Sequence, residues 1–185
     1  PFSPTGAQRR AVKEAMRDMM SGRQMNRLLQ GDVGSGKTAV AAALVYSAAK
    51  NSMQSALMAP TEVLAEQHYK TFLKLFEGCS INVELLTGSD TAAQKRRKKE
   101  ALKAGEIDLL IGTHAIIQSD VEFKSLALVI TDEQHRFGVE QRNALGEKGE
   151  NPHLYVMSAT PIPRTLALII YGELDISILD ELPPG

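Results

Sequence analysis

The sequence predicts an α/β domain built on a mainly parallel β-sheet with helices on both faces. Three observations carry that expectation. Short apolar, β-rich runs alternate with longer helix-prone stretches, the pattern of strands joined by crossovers. The runs are apolar on successive residues rather than on every second one, as befits strands covered on both sides. A glycine-rich loop also separates the first run from the first long helical stretch, and such sheets gather ligands beyond the carboxyl ends of their strands.

Taken in order, the expected strands are "RLLQ" (27–30), "SALMAP" (55–60), "NVELLT" (82–87), "DLLIGT" (108–113), "LALVITD" (126–132) and "HLYVMS" (153–158). "GKTAVAAALVYSAAK", "TEVLAEQHYKTFLKLF" and "TAAQKRRKKEALKAG" are long enough and helix-prone enough to be crossovers. No internal repeat or low-complexity segment interrupts them. A chain of 185 residues suits one well-buried domain.

The bulk composition narrows the classes. With 43% hydrophobic and 23% charged residues the chain reads as an ordinary globule. A formal net charge of -1 gives no general attraction to nucleic acid, so any such contact must be local. A single cysteine, Cys79, rules out an internal disulfide and fits a reducing, cytoplasmic setting, with Cys79 as inert filler. No apolar run reaches the ~18 residues of a membrane span, and no signal peptide is visible. The start at Pro1 and the end at "DELPPG" imply a piece of something larger.

"GDVGSGKT" fits G-x-x-x-x-G-K-[ST] over Gly31, Asp32, Val33, Gly34, Ser35, Gly36, Lys37 and Thr38. Glycines let the backbone N–H groups wrap around phosphate oxygens, and the following helix adds its positive end. Lys37 would reach the terminal phosphates and Thr38 would offer a hydroxyl to Mg²⁺. "LALVITDEQH" is an apolar run that ends in two carboxylates. Beside a phosphate loop, Asp132 would hold Mg²⁺ and Glu133 would act as general base on water. Glu133, Lys37 and Asp132 thus form the expected catalytic set, with Thr38 and Asp132 toward the metal. No guanine-reading N-K-x-D occurs in the chain, so ATP with Mg²⁺ is the expected pair.

"TDEQH" resembles motif II of superfamily-two helicases and translocases in its DExH form. Further segments line up after it. "APTEVLAEQH" (59–68) resembles motif Ia, "TGS" (87–89) motif Ib, "GTHAII" (112–117) the following DNA-contact motif, and "SAT" (158–160) motif III. "PTGAQRRA" (4–11) resembles a Q motif. "LLQGDVGSGKT", "DEQHRFGVEQR", "SATPIPRTLAL" and "DELPPG" together are similar to the RecG family of bacterial DNA helicases, over essentially the whole chain.

That resemblance implies a single RecA-like P-loop domain, with residues 1–185 as the first, ATP-binding motor lobe. Within it, residues 1–24 would be a Q-motif-like opening helix, and 180–185 would begin the linker to a second lobe. The implied partners are branched or forked DNA, plus the second motor lobe and wedge domain of the same longer chain, with no membrane. The implied setting is the bacterial cytoplasm.

Phe2 and Gln8 would bind the nucleotide, with Gln8 on the adenine edge. Thr61, Glu62, Thr87, Gly88, Ser89, Thr113 and His114 would contact DNA, and small hydroxyls with backbone N–H groups suit phosphates. For any one of the threonines, plain helix capping is the simpler role. Gln134, His135, Ser158, Ala159, Thr160 and Arg164 would couple the nucleotide to the DNA. Lobes of transcription-repair coupling or primosomal translocases, or a stand-alone nucleotide switch, are the alternatives; the first usually reads "DEEQRFGV".

Other features point to structure alone. The basic residues 95–99 surround a helix and cannot all face one groove, so a solvated face is expected. His68, His114 and His153 lack companions at metal-ligand spacing. Met19 and Met20 read as helix packing.

Overall fold

The computed structural model describes residues 4–132, 139–159, 163–171 and 174–180, with side chains except at 139–142, 164, 167, 170 and 171. The elements alternate as α1 (Gly6–Met20), β1 (Asn26–Gly31), α2 (Lys37–Lys50), β2 (Gln54–Met58), α3 (Glu62–Leu75), β3 (Val83–Leu86) and α4 (Ala92–Lys103). They continue as β4 (Leu109–Gly112), a 3-10 turn (His114–Ile117), β5 (Leu126–Asp132), α5 (Val139–Gly146), β6 (His153–Ser158), α6 (Arg164–Tyr171) and β7 (Asp175–Leu179).

Threonines set three of the helix starts. Thr5, Thr61 and Thr91 accept from the backbone N–H of Gln8, Leu64 and Gln94. The side chains of Gln8 and Gln94 accept in return from the backbone of Thr5 and Thr91, closing a capping box at α1 and α4. Helix α2 starts differently. Its first position follows Gly36, held at a left-handed φ of 89°, and no side chain among the described residues caps it.

The strands form one sheet in the order β3-β4-β2-β5-β6-β1-β7, and every neighbouring pair is parallel. Successive residues of a strand serve opposite faces. Leu109 and Ile111 of β4 join the core under α1, α2 and α3, whereas Leu110 joins Leu102 of α4 and Leu145 of α5 on the other side. Helices therefore cover both faces, as the uninterrupted apolar runs require.

All six expected strands are present, with ends shifted by no more than two residues. The sequence reading missed β7, because "DISIL" alternates rather than running apolar: its burial goes exposed, half-buried, buried, exposed, buried. It also missed α5 and α6. Two further expectations are corrected. Met20 is 81% exposed and takes no part in the core among the described residues, although Met19 does meet it. The basic run is only partly solvated: Arg96 and Arg97 are exposed, but Lys98 donates to Asp90 at 2.9 Å and to the Leu85 carbonyl, and Lys99 pairs with Asp120. Lysine side chains of this length fold their stems back over the helix and reach acids beside it.

The β1 end of the sheet is pinned by charge. The buried Arg27 donates to Asp18 of α1 at 2.7 Å and to Ser177 of β7 at 3.0 Å. Nearby, the Met25 amide donates to His153 Nδ1 at 2.8 Å, so that nitrogen must stay unprotonated. Burial pushes the His153 pKa below its ordinary 6.5, and the charge of Asp18 offsets this only in part. A lowered folded value means that the unfolded chain binds the proton first. The stabilisation is therefore whole above pH 6.5 and is lost as pH falls through the depressed folded value. Losing one such hydrogen bond costs about 1 kcal/mol, or about 2–4 °C in Tm for a domain of this size. Melting curves between pH 7.5 and 5 should show that drop, and His153→Asn, whose oxygen can replace Nδ1 as acceptor, should flatten it.

Candidate functional site

The carboxyl edge of the sheet carries two groups of side chains. The first lies beyond β1, β6 and β5. Gly31 ends β1 against Ser35: a Cβ on Gly31 would stand 2.5 Å from Ser35 Oγ and 2.9 Å from Leu179 Cβ, so only glycine fits. The Ser35 hydroxyl is fully buried and has no hydrogen-bond partner among the described residues. Lys37 opens α2 and turns its ammonium back on the loop, donating to the carbonyls of Gly31 at 2.6 Å and Asp32 at 3.0 Å. Asp32, Val33 and Gly34 are exposed at the rim, with Val33 86% exposed.

Asp132 ends β5, two strands from β1, with β6 between them. It nevertheless shares a cleft of about 320 Å³ with Val33, Gly34, Gly36, Lys37, Thr38, His68, Met157 and Ala159. Burial holds the Lys37 ammonium below the usual lysine value, and the charges of Asp132 and Asp32 pull it partway back. The unexpected neighbour is His68 of α3, whose Nε2 lies 2.6 Å from Asp132 Oδ2. Spacing for metal ligands gave no reason to single it out. Its helical register did: Ala65 and Phe72 are fully buried at three and four residues' distance, so His68 lies on the buried stripe of α3. A polar group there needs a partner.

Gln8 is 98% covered. Its side-chain oxygen accepts from Thr5 N, and its Nε2 donates to the Gly36 carbonyl at 3.3 Å, tying α1 to the glycine-rich loop. Among the described residues one N–H and one lone pair of the amide have no partner, the set that an adenine edge requires. Beside it, Pro4, Gly6, Gln8, Arg9, Val12, Ala39 and Val40 help to line a mostly apolar pocket of about 730 Å³.

The second group lies beyond β2, β4 and β3. Thr61 caps α3 and is exposed. Glu62 accepts from the exposed Ser89 hydroxyl at 2.6 Å, which joins two loops expected to touch DNA. Gly88 and His114 are also exposed, whereas Thr87 and Thr113 are buried, 4% and 8% exposed. Ser158 is buried at the end of β6 and Ala159 follows it into the cleft. Arg164 begins α6. Phe2, Glu133, Gln134, His135, Thr160 and 181–185 lie outside the described residues.

A phosphate-type loop, an acid at the end of a second strand and a hydroxyl-rich face on the same sheet edge are features of nucleic-acid motors, and comparison with known proteins agrees. The DEAD/DEAH box helicase family model matches residues 5–169. The chain belongs to this helicase family. Along its whole length it is 57% identical to the ATP-dependent DNA helicase RecG of Bacillus subtilis (strain 168), covering 27% of that protein. It is 59% identical to the RecG of Aquifex aeolicus (strain VF5), covering 24%. A solved structure of RecG bound to a three-way DNA junction superposes with a TM-score of 0.85 at 49% identity, over all of this chain and 25% of that one. The helicase MrfA bound to DNA shares the fold at 19% identity, with a TM-score of 0.70 over 97% of this chain. The RecA-like fold and the RecG resemblance are thus borne out. The chain spans about a quarter of the length of these RecG relatives, and no helix among its described residues is long and apolar enough to cross a membrane.

Proposed function

We propose that this chain is the first, ATP-binding motor lobe of a bacterial, cytoplasmic DNA helicase that couples ATP hydrolysis to remodelling of branched and forked DNA in recombination and repair. The observation that carries the reading is the convergence of Lys37, Thr38 and Asp132, from separate strand ends, on one cleft beside an uncapped helix start. Identities of 52–59% to RecG proteins favour a RecG-type motor over transcription-repair coupling or primosomal translocases. The partners are branched DNA, the second motor lobe and the wedge domain of the longer chain.

The first N–H groups of α2, which no side chain among the described residues caps, and the buried Ser35 hydroxyl suit a chain of phosphates. Thr38 and Asp132 offer hard oxygens, one of them anionic. The described residues contain no group of three or more His, Cys, Asp or Glu able to hold a metal by themselves. That donor set fits Mg²⁺, which takes one or two carboxylates, keeps several waters and shares the substrate's phosphates. When bound there, Mg²⁺ neutralises charge on the phosphates. Lys37 places its ammonium on the terminal phosphates, exchanging two carbonyl contacts for charge-assisted ones. Glu133, next after Asp132, takes the proton of the attacking water. Gln8 and Phe2 hold the adenine.

Thr61, Glu62, Thr87, Gly88, Ser89, Thr113 and His114 track the DNA backbone. Gln134, His135, Ser158, Ala159, Thr160 and Arg164 relay the state of the γ-phosphate to the DNA, the role that the RecG resemblance implies for them. Lys37→Ala should leave the fold intact and remove a contact of about 1.5–3 kcal/mol, weakening Mg·ATP binding by roughly tenfold or more. Unchanged affinity by calorimetry in a folded variant would refute the assignment.

A further inference from the structure

From the contact between His68 and Asp132 we infer that His68 is a positioning residue for the Mg²⁺-binding acid. It fixes the rotation of the Asp132 carboxylate and ties that acid to helix α3. The inference rests on the reading of Asp132 as the metal acid.

The torsion that turns an aspartate carboxylate about its last bond is broad and poorly defined by itself. A single strong hydrogen bond therefore decides which oxygen meets a ligand. His68 supplies one: its Nε2 lies 2.6 Å from Oδ2, and toward a carboxylate that holds a metal the imidazole N–H is the donor, in the short range of charge-assisted bonds. Oδ1 is left as the oxygen for the cleft. Both side chains are largely out of solvent, at 13% and 16% exposed, so water competes weakly for the pair. The imidazole is itself braced. It lies against the ring of Phe72, one helical turn further on, with centroids 6.5 Å apart, and Phe72 is fully buried.

The contact also joins the two halves of the sheet edge. His68 belongs to the helix that Thr61 caps and Glu62 opens, with Glu62 about 9 Å away at 1.5 Å per residue, and Glu62 in turn holds Ser89. The acid beside the phosphate loop is thereby linked to the nucleic-acid face through one rigid helix and two side-chain hydrogen bonds.

Partners that orient a metal ligand typically alter metal affinity by about 10–100-fold when removed. The test measures binding of a non-hydrolysable ATP analogue to the full-length protein by calorimetry across a Mg²⁺ titration, with melting curves to confirm folding. Glutamine can place its amide nitrogen where Nε2 stood, whereas the shorter asparagine cannot. His68→Asn should raise the half-saturating Mg²⁺ concentration about tenfold, and His68→Gln should return it close to wild type. Wild-type Mg²⁺ dependence in His68→Asn would overturn the inference. So would equal defects in both variants, which would assign the effect to ring packing. Asp132→Asn separates the two levels. If it leaves the Mg²⁺ requirement unchanged, the reading of Asp132 fails and this inference with it. If it raises the requirement while His68→Asn does not, only the inference fails.

Discussion

Glu133→Gln in the full-length protein will bind Mg·ATP as tightly as wild type and hydrolyse it about 10²–10⁴-fold more slowly. Those limits are the usual contribution of a positioned general base. The reasoning starts from the strand: Asp132 is the last residue of β5 and already lines the cleft beside Lys37 and Thr38. Glu133 is the next residue in the chain, and a carboxylate there is the expected acceptor for a proton from water. Glutamine keeps the size and one hydrogen-bond acceptor but cannot take the proton from water. Binding should be spared because the phosphate loop and Asp132 are untouched. Single-turnover kinetics with equilibrium nucleotide binding separate the two quantities. Turnover at the wild-type rate would mean that the base lies elsewhere.

How much of this was legible in the sequence depends on the kind of signal. Strands covered on both faces announce themselves as continuous apolar runs, so β1 to β6 were readable to within two residues. The edge strand β7 was not, because one side of it faces solvent, with Ile178 53% exposed. The tight turn of the glycine-rich loop was readable because its glycines answer to backbone geometry, as the contact of Gly31 with Ser35 shows. The pairing of His68 with Asp132 was not readable from spacing, since 64 residues separate them. It follows from the parallel pairing of β2 with β5, which brings the helix after β2 over the end of β5. The capping of α3 by Thr61 was foreseen as the plain role for a threonine, and it coexists with a place on the exposed face. The basic run shows the limit of helical-wheel reasoning: the wheel separates Lys98 from Arg97, but only the folded chain brings Asp90 and Asp120 to the lysines.

Residues 1–185 expressed alone should bind Mg·ATP detectably yet hydrolyse it about 10³–10⁵-fold more slowly than the full-length protein with DNA, and they should separate no strands. The cleft supplies Lys37 as its cation, and none of the described residues lining it is an arginine. In motors of the kind this chain resembles, an arginine from the second lobe meets the charge that develops during phosphoryl transfer, and such a finger accounts for about 10³–10⁵ in rate. The chain spans 27% or less of its RecG relatives, which leaves ample length for that lobe. Directed movement needs two bodies that close and reopen around DNA as nucleotide turns over, and a single sheet with helices on both faces has no such hinge. Binding should survive better than catalysis, because the loop, Thr38 and Asp132 are all local to this lobe. Adding the second lobe as a separate polypeptide should restore part of the rate, and an arginine-to-alanine change in that lobe should abolish the restoration. DNA-stimulated turnover by residues 1–185 alone at the full-length rate would revive the stand-alone reading, with every catalytic group carried by this chain.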